Sequence, residues 1–168
     1  SKKIRNIIYI LGFIGLFFVI QQFENFAKTF LYFFSLKGLM LYFITLVFVK
    51  CLHELGHAYI AKYHGCKVSA IGIAFLVFFP FLYTDTTDAW RLRNHKDRLL
   101  INFAGILTEL HLALIATFVW GILPEGGLKS AAFFIATTSW ISSIAINVSP
   151  FMRFDGYYVF SDWLKAEN

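Results

Sequence analysis

Two histidines and a glutamate have the spacing of a metal site that acts on water. They occur in the sequence His-Glu-Leu-Gly-His at positions 53–57, after an apolar run at 39–49. Residues four positions apart lie on one face of a helix, so His53 and His57 can bind one metal ion together. Glu54 lies about 100° round the helix from His53. There it can accept a proton from a metal-bound water, so the pattern predicts a hydrolytic zinc site.

A third protein ligand is needed, because catalytic zinc sites take three and leave one position open for water. Asp155 follows the last long apolar run, and Gly156 beside it lets the backbone approach closely. If every apolar run crosses a membrane, Asp155 lies on the same side as the histidine pair. We therefore expect Asp155 to be the third ligand, with His64 and Glu109 as the alternatives.

The composition is that of a membrane protein. Hydrophobic residues make up 58% of the 168 residues and charged residues 15%, and the mean hydropathy is +0.65. Soluble domains have roughly 45–50% apolar and about 25% charged residues. The net charge of +5 comes from basic residues that lie between apolar runs, so it does not indicate nucleic-acid binding. The two cysteines, Cys51 and Cys66, do not form a CxxC pair, so neither a cysteine zinc site nor a disulfide scaffold is predicted.

We expect an all-α polytopic membrane protein with about four transmembrane helices, near residues 7–20, 38–64, 99–121 and 130–148. The run at 71–80 is too short to cross a bilayer and contains Pro80. It predicts a short re-entrant or interfacial β-hairpin between the second and third helices. The edge of this hairpin can either bind an extended substrate segment or merely fill space beside the helices.

The positions of the charged and polar residues predict an orientation in the membrane and one further helix. With the amino terminus in the cytoplasm, eleven of the 15 Lys and Arg residues face the cytoplasm and three face outward, as the positive-inside rule favours. Residues 84–88 are typical helix-capping residues, so we expect a basic helix at 91–98. We expect residues 1–168 to be one integral-membrane domain, and the abrupt end at 166–168 indicates a fragment of a longer chain.

Two motifs together carry a family resemblance. His53-Glu54-x-x-His57 in a membrane helix, combined with Asn147-x-x-Pro150-x-x-x-x-Asp155-Gly156, resembles the site-2 protease family of intramembrane zinc metalloproteases. The resemblance implies that His53, His57 and Asp155 bind Zn²⁺, and that Glu54 activates the water. It also implies that Asn147 helps to position the substrate.

Further strings, at 83–91, 104–110 and 153–158, resemble a bacterial branch of peptide zinc metalloproteases in particular. That resemblance implies a multi-pass protein of the bacterial cell membrane whose substrate is a membrane peptide or protein, such as a ribosomally made peptide. One alternative is a non-catalytic relative that binds or escorts a peptide. A di-iron desaturase needs more than the five histidines present, and a prenyl-protein peptidase is expected to use a glutamate as its third ligand.

Overall fold

Six α-helices and one β-hairpin form most of the part of the chain that the structure describes. This computed structural model describes residues 2–32, 34–76, 79–147 and 156–157. The helices are α1 (Lys2–Gln21), α2 (Phe23–Tyr32), α3 (Leu36–Tyr63), α4 (His95–Asn102), α5 (Ala104–Ile122) and α6 (Gly127–Ile141). The strands are β1 (Ile71–Leu76) and β2 (Phe79–Thr84), followed by a 3₁₀ helix (Thr87–Arg91). A π-helical turn (Ser142–Asn147) follows α6.

The predicted fold class is confirmed: the protein is helical, with one small hairpin between the helices that correspond to the second and third predicted spans. Among the described residues, α1, α3 and α5 are long and apolar enough to cross a membrane. The fourth predicted span corresponds to α6, which has 15 residues, and to the six-residue π-helical turn. A bilayer crossing takes about 20 residues, so the number of crossings stays a prediction.

The hairpin pairs its strands in antiparallel register, from Ile71 opposite Thr84 to Leu76 opposite Phe79. Pro80 lies opposite Phe75 in this register. A proline has no amide hydrogen, so β2 has one hydrogen-bond donor fewer than a strand without proline. The described residues of this run, Ile71–Leu76 and Phe79–Pro80, lie in the strands of a hairpin as predicted, and β2 continues to Thr84. The depth of the hairpin in a bilayer stays a prediction.

The predicted basic helix at 91–98 is wrong in its bounds. The 3₁₀ helix ends at Arg91, and Leu92 has an extended backbone conformation. A separate helix, α4, then begins at His95, and the Asn94 side chain caps it by accepting a hydrogen bond from the Lys96 amide. The residue that caps α4 is therefore Asn94 and not one of residues 84–88. Those residues instead run from the end of β2 to the start of the 3₁₀ helix.

The chain divides into two compact units. The first comprises Ser1–Val49 and Glu109–Ile141. In it, α1 packs against α5 through glycines: a side chain at Gly15 would meet the Phe118 backbone, and one at Gly121 would meet the Phe18 side chain. Small residues of this kind allow close packing of membrane helices.

The second unit comprises Lys50–Thr108 and Ser142–Asn168, and it contains the histidine motif. One cluster of its buried apolar residues comes from the end of α3, the loop after α3, the 3₁₀ helix and α4, and its members are Ala61, Cys66, Ala89 and Ile101. This small core fixes α4 and the following connection against the half of α3 that carries His53 and His57.

Candidate metal centre

The two histidines of the motif point their Nε2 atoms at the same place. Both side chains are buried on α3, and their Nε2 atoms lie 3.2 Å apart. Two nitrogens bound to one tetrahedral zinc ion at about 2.0–2.1 Å would lie about 3.3–3.4 Å apart. The observed separation therefore agrees with shared binding of one ion to within about 0.2 Å, a common tolerance for metal sites.

A backbone carbonyl fixes the tautomer of the neutral His57 ring. Its Nδ1 lies 2.8 Å from the carbonyl oxygen of Ile101, near the end of α4. A carbonyl only accepts hydrogen bonds, so Nδ1 must carry the hydrogen and donate it. In the neutral ring this leaves the lone pair of Nε2 available to a metal, the usual arrangement of a metal-binding histidine.

Gly105, near the start of α5, lies against both histidines. A Cβ built at this position would collide with Nε2 of His53 and with Nε2 of His57. Any residue other than glycine would therefore occupy the volume that an ion between these nitrogens needs. The two donor nitrogens and their separation fit zinc.

Gly56, inside the motif, brings α3 close to the first turns of α5. A Cβ at Gly56 would collide with the Thr108 hydroxyl oxygen and would lie 3.1 Å from the Ala104 carbonyl oxygen. The Thr108 hydroxyl donates a hydrogen bond to that same carbonyl, at 2.9 Å. The close approach permitted by Gly56 places Gly105 directly against the histidine pair.

Glu54 is half-buried on α3, and its helical turn is tied to the hairpin. The hydroxyl of Thr84, the last residue of β2, donates a hydrogen bond of 3.0 Å to the Glu54 carbonyl oxygen. From the sequence alone, Thr84 is expected only among helix-capping residues, with no role at the site. In the structure it links the end of the strand to the turn that carries the expected base.

The predicted third ligand, Asp155, falls outside the described residues, so the ligand set stays a prediction. Within the described ranges, no group of three His, Cys, Asp or Glu side chains is close enough to hold a metal. Of the alternatives, His64 has its Nδ1 3.7 Å from an Asp97 carboxylate oxygen. Glu109 is fully buried on α5.

Asn147 is the last residue of the π-helical turn that follows α6. In the same turn, the Ser143 hydroxyl donates a long hydrogen bond of 3.4 Å to the carbonyl oxygen of Ile106, the neighbour of Gly105. Single π-helical turns occur often at functional sites. The turn that leads to Asn147 is therefore in contact with the α5 segment that borders the histidine pair.

Sequence reasoning missed Gly105, Thr84 and the Ile101 carbonyl. A glycine near the start of an apolar span was the available signal for Gly105, because glycine there weakens a helix unless a close approach requires it. Backbone carbonyls and hydroxyls that act across long sequence separations, such as the 44 positions between His57 and Ile101, have no local signal.

A buried helical His-Glu-x-x-His motif beside a hairpin defines a class of membrane metallopeptidase, and the family comparison agrees. The model of peptidase family M50 matches residues 40–151, which are 112 of the 168 residues. The chain therefore belongs to peptidase family M50, the site-2 protease family. The match includes the histidine motif and Asn147 and ends before Asp155. Proteins of this family are membrane proteins, which agrees with the three long apolar helices.

A protein of Bacillus subtilis (strain 168) is similar to most of the chain. It is named "Putative peptide zinc metalloprotease protein YydH" and is 24% identical over 130 residues. The aligned region covers 77% of this chain and 48% of the relative, so the chain spans about half the length of this relative. No solved structure gives a significant match.

Proposed function

We propose that this chain is an intramembrane zinc metalloprotease, which hydrolyses a peptide bond of a membrane-embedded or membrane-associated peptide or protein. One observation carries the proposal. The Nε2 atoms of His53 and His57 converge to 3.2 Å beside Gly105, where any larger residue would collide with both nitrogens. The helix that holds them, α3, is long and apolar enough to cross a membrane.

Each residue of the motif has a role in this proposal. His53, His57 and Asp155 hold zinc, which when bound lowers the pKa of a water molecule so that it can attack a carbonyl near neutral pH. Glu54 accepts the proton of the attacking water and delivers it to the leaving nitrogen. The Ile101 carbonyl holds the His57 ring in orientation, and Asn147 positions the substrate.

The substrate must reach Glu54 in an extended form. A carbonyl inside a helix is already engaged in a hydrogen bond, so a helical segment has to unwind before water can attack it. We propose that β1 binds the unwound segment as an added strand. In support, β1 contains no proline, and its Ile73 and Phe75 side chains are 60% and 74% exposed. The hairpin is linked to the Glu54 turn through Thr84.

Replacing Phe75 by proline is expected to lower the cleavage rate about tenfold or more, because proline removes an amide donor from β1 and disturbs strand addition. Phe75→Ala is the matched control, since it removes the same side chain and keeps the amide. It should lower the rate less than Phe75→Pro does. Initial cleavage rates in detergent, at equal zinc content, make the comparison. Equal rates for the proline variant and the wild type would rule out strand addition at this position.

The name of the similar protein, which describes a peptide zinc metalloprotease, supports a peptide as the substrate. We propose that this chain acts on a peptide, of the ribosomally made kind, at the bacterial cell membrane.

We also propose that the amino terminus lies in the cytoplasm, which places the basic loops on the cytoplasmic side. Inside-out vesicles expose the cytoplasmic face, so a protease added to closed vesicles of this kind should then remove an amino-terminal tag. Protection of the tag would indicate the opposite orientation.

The test of the proposed function is the zinc content of the detergent-purified chain, measured by elemental analysis for wild type and for Asp155→Ala. We expect about one zinc ion per wild-type chain and a clear loss in the variant, because a three-ligand site reduced to two ligands binds zinc far more weakly. Carefully handled wild type without zinc would favour a relative that binds or escorts a peptide without cleaving it. Equal zinc in both proteins would exclude Asp155 as a ligand.

A further inference from the structure

A cavity of about 610 Å³ lies at the end of the hairpin, in the same unit as the histidine pair. Its described lining residues are Ala70, Tyr83, Thr84, Asp85, Thr86, Thr87 and Trp90. One of them, Thr84, donates the hydrogen bond to the Glu54 carbonyl. The cavity therefore borders the residue that joins the hairpin to the turn carrying the proposed base.

The described lining combines one carboxylate with two aromatic rings. Asp85 is the charged residue among the seven, and the Tyr83 and Trp90 side chains are 41% and 55% exposed. Hydrogen bonds from the Thr87 side chain and the Thr87 amide hold the pKa of Asp85 below its usual value, so the carboxylate is ionised at neutral pH. A carboxylate beside aromatic faces is a binding environment for an organic cation.

The nearby charges leave this carboxylate available. Asp88 pairs with Arg91 at 2.9 Å and accepts a hydrogen bond from the Lys67 amide, so these groups satisfy one another. Within the described ranges, Asp85 takes part in no ion pair. The Arg98 guanidinium lies 5.7 Å from the centre of the Trp90 ring. A cation of the chain itself therefore already lies over one face of this indole.

The backbone places the cavity at the end of the proposed substrate strand. Asp85 directly follows β2, and its amide donates a 2.9 Å hydrogen bond to the Ala70 carbonyl at the start of β1. A peptide lying along the hairpin and continuing toward Glu54 passes this end of the sheet. Its side chain at that point can enter the cavity, while the peptide backbone stays beside the helical turn.

We propose that this cavity is a subsite for a lysine or arginine side chain of the peptide, close to the bond that is cleaved. The inference rests on the proposed function, because it assumes that a peptide is the substrate. It adds a specificity: the chain should prefer peptides with a cationic residue near the cleavage site over otherwise identical apolar ones. Asp85 supplies the opposite charge, and the Tyr83 ring contacts the aliphatic stem and the cationic head.

The test is a binding measurement on the zinc-loaded Glu54→Gln chain in detergent. Fluorescence anisotropy compares the binding of two series of apolar peptides. At each position in turn, one series carries lysine and the other carries its uncharged analogue norleucine. At one position we expect lysine to bind about fivefold to tenfold more tightly, the combined effect of an exposed ion pair and a cation–π contact. Adding Asp85→Asn should reduce that ratio to about one.

Asp88→Asn is the matched control, since Asp88 lies in the same segment but does not line the cavity. The lysine preference should persist in that variant. Asp85→Lys supplies a second test, because it should reverse the preference toward a glutamate peptide. The proposal is overturned if lysine and norleucine peptides bind equally at every position, or if neither binds. It is also overturned if the Asp85→Asn substitution leaves the lysine preference unchanged. Hydrolysis is not measured, so failure of the proposed function, seen as missing zinc, is a separate result.

Discussion

Replacing Glu54 by glutamine should leave zinc bound and lower the rate of peptide cleavage by about 10²–10⁴-fold. Glutamine has nearly the same size and shape as glutamate, so it fits the same half-buried position on α3. Its amide cannot accept the proton of the attacking water, which is the role proposed for the carboxylate. The histidine pair is unchanged, and its two nitrogens still converge. Rate and zinc content should therefore respond differently to the same substitution.

The measurement combines initial cleavage rates with zinc analysis on the same preparations. Glu24→Gln is a suitable control, since it makes the same chemical change at an exposed position on α2, away from the motif in sequence. It should leave both quantities at wild-type levels. A Glu54→Gln protein that cleaves peptide at the wild-type rate would show that another group accepts the proton. A protein that loses zinc would instead assign Glu54 to metal binding.

The sequence was sufficient where a short-range pattern determines the structure. The spacing of four between His53 and His57 needs only a helix to bring the rings together, and the apolar run ensures that helix. The hairpin was predictable because the run at 71–80 is too short for a membrane crossing and contains a proline. Both the histidine pair and the hairpin depend on short stretches of sequence, because helical periodicity and the length of an apolar run can be read from neighbouring residues.

The sequence was insufficient where packing between distant segments decides the outcome. The Ile101 carbonyl and Gly105 contact the histidine pair across 44 or more positions. The glycine itself is the one local sign of its approach, and no local pattern indicates that of the carbonyl. The bounds of the basic helix were wrong for a related reason. Residues 84–88 favour several kinds of turn, and the strand pairing that ends at Thr84 selects a 3₁₀ helix rather than the start of a long α-helix.

Replacing Gly105 by alanine should lower zinc affinity by at least about tenfold, within the range found when residues around a metal site are changed. The added methyl group would lie where both Nε2 atoms now converge. Either the histidine rings rotate away or α5 separates from α3, and both movements spoil the geometry that one ion requires. Overpacking of this kind typically destabilises a protein by about 1–3 kcal/mol, so the fold should persist under mild conditions.

Gly127→Ala separates this effect from a general consequence of replacing glycine. Gly127 begins α6, and a Cβ built there meets nothing within 4 Å, so the control makes the same chemical change in open space. Zinc titrations monitored by a competing chelator, together with thermal unfolding, distinguish loss of the site from loss of the fold. The control should match wild type in both. Wild-type zinc affinity in Gly105→Ala would mean that the ion binds elsewhere than between His53 and His57. Reduced zinc affinity in a variant that still folds would place the ion between the histidine pair and α5, because the new methyl group on α5 would contact both Nε2 atoms.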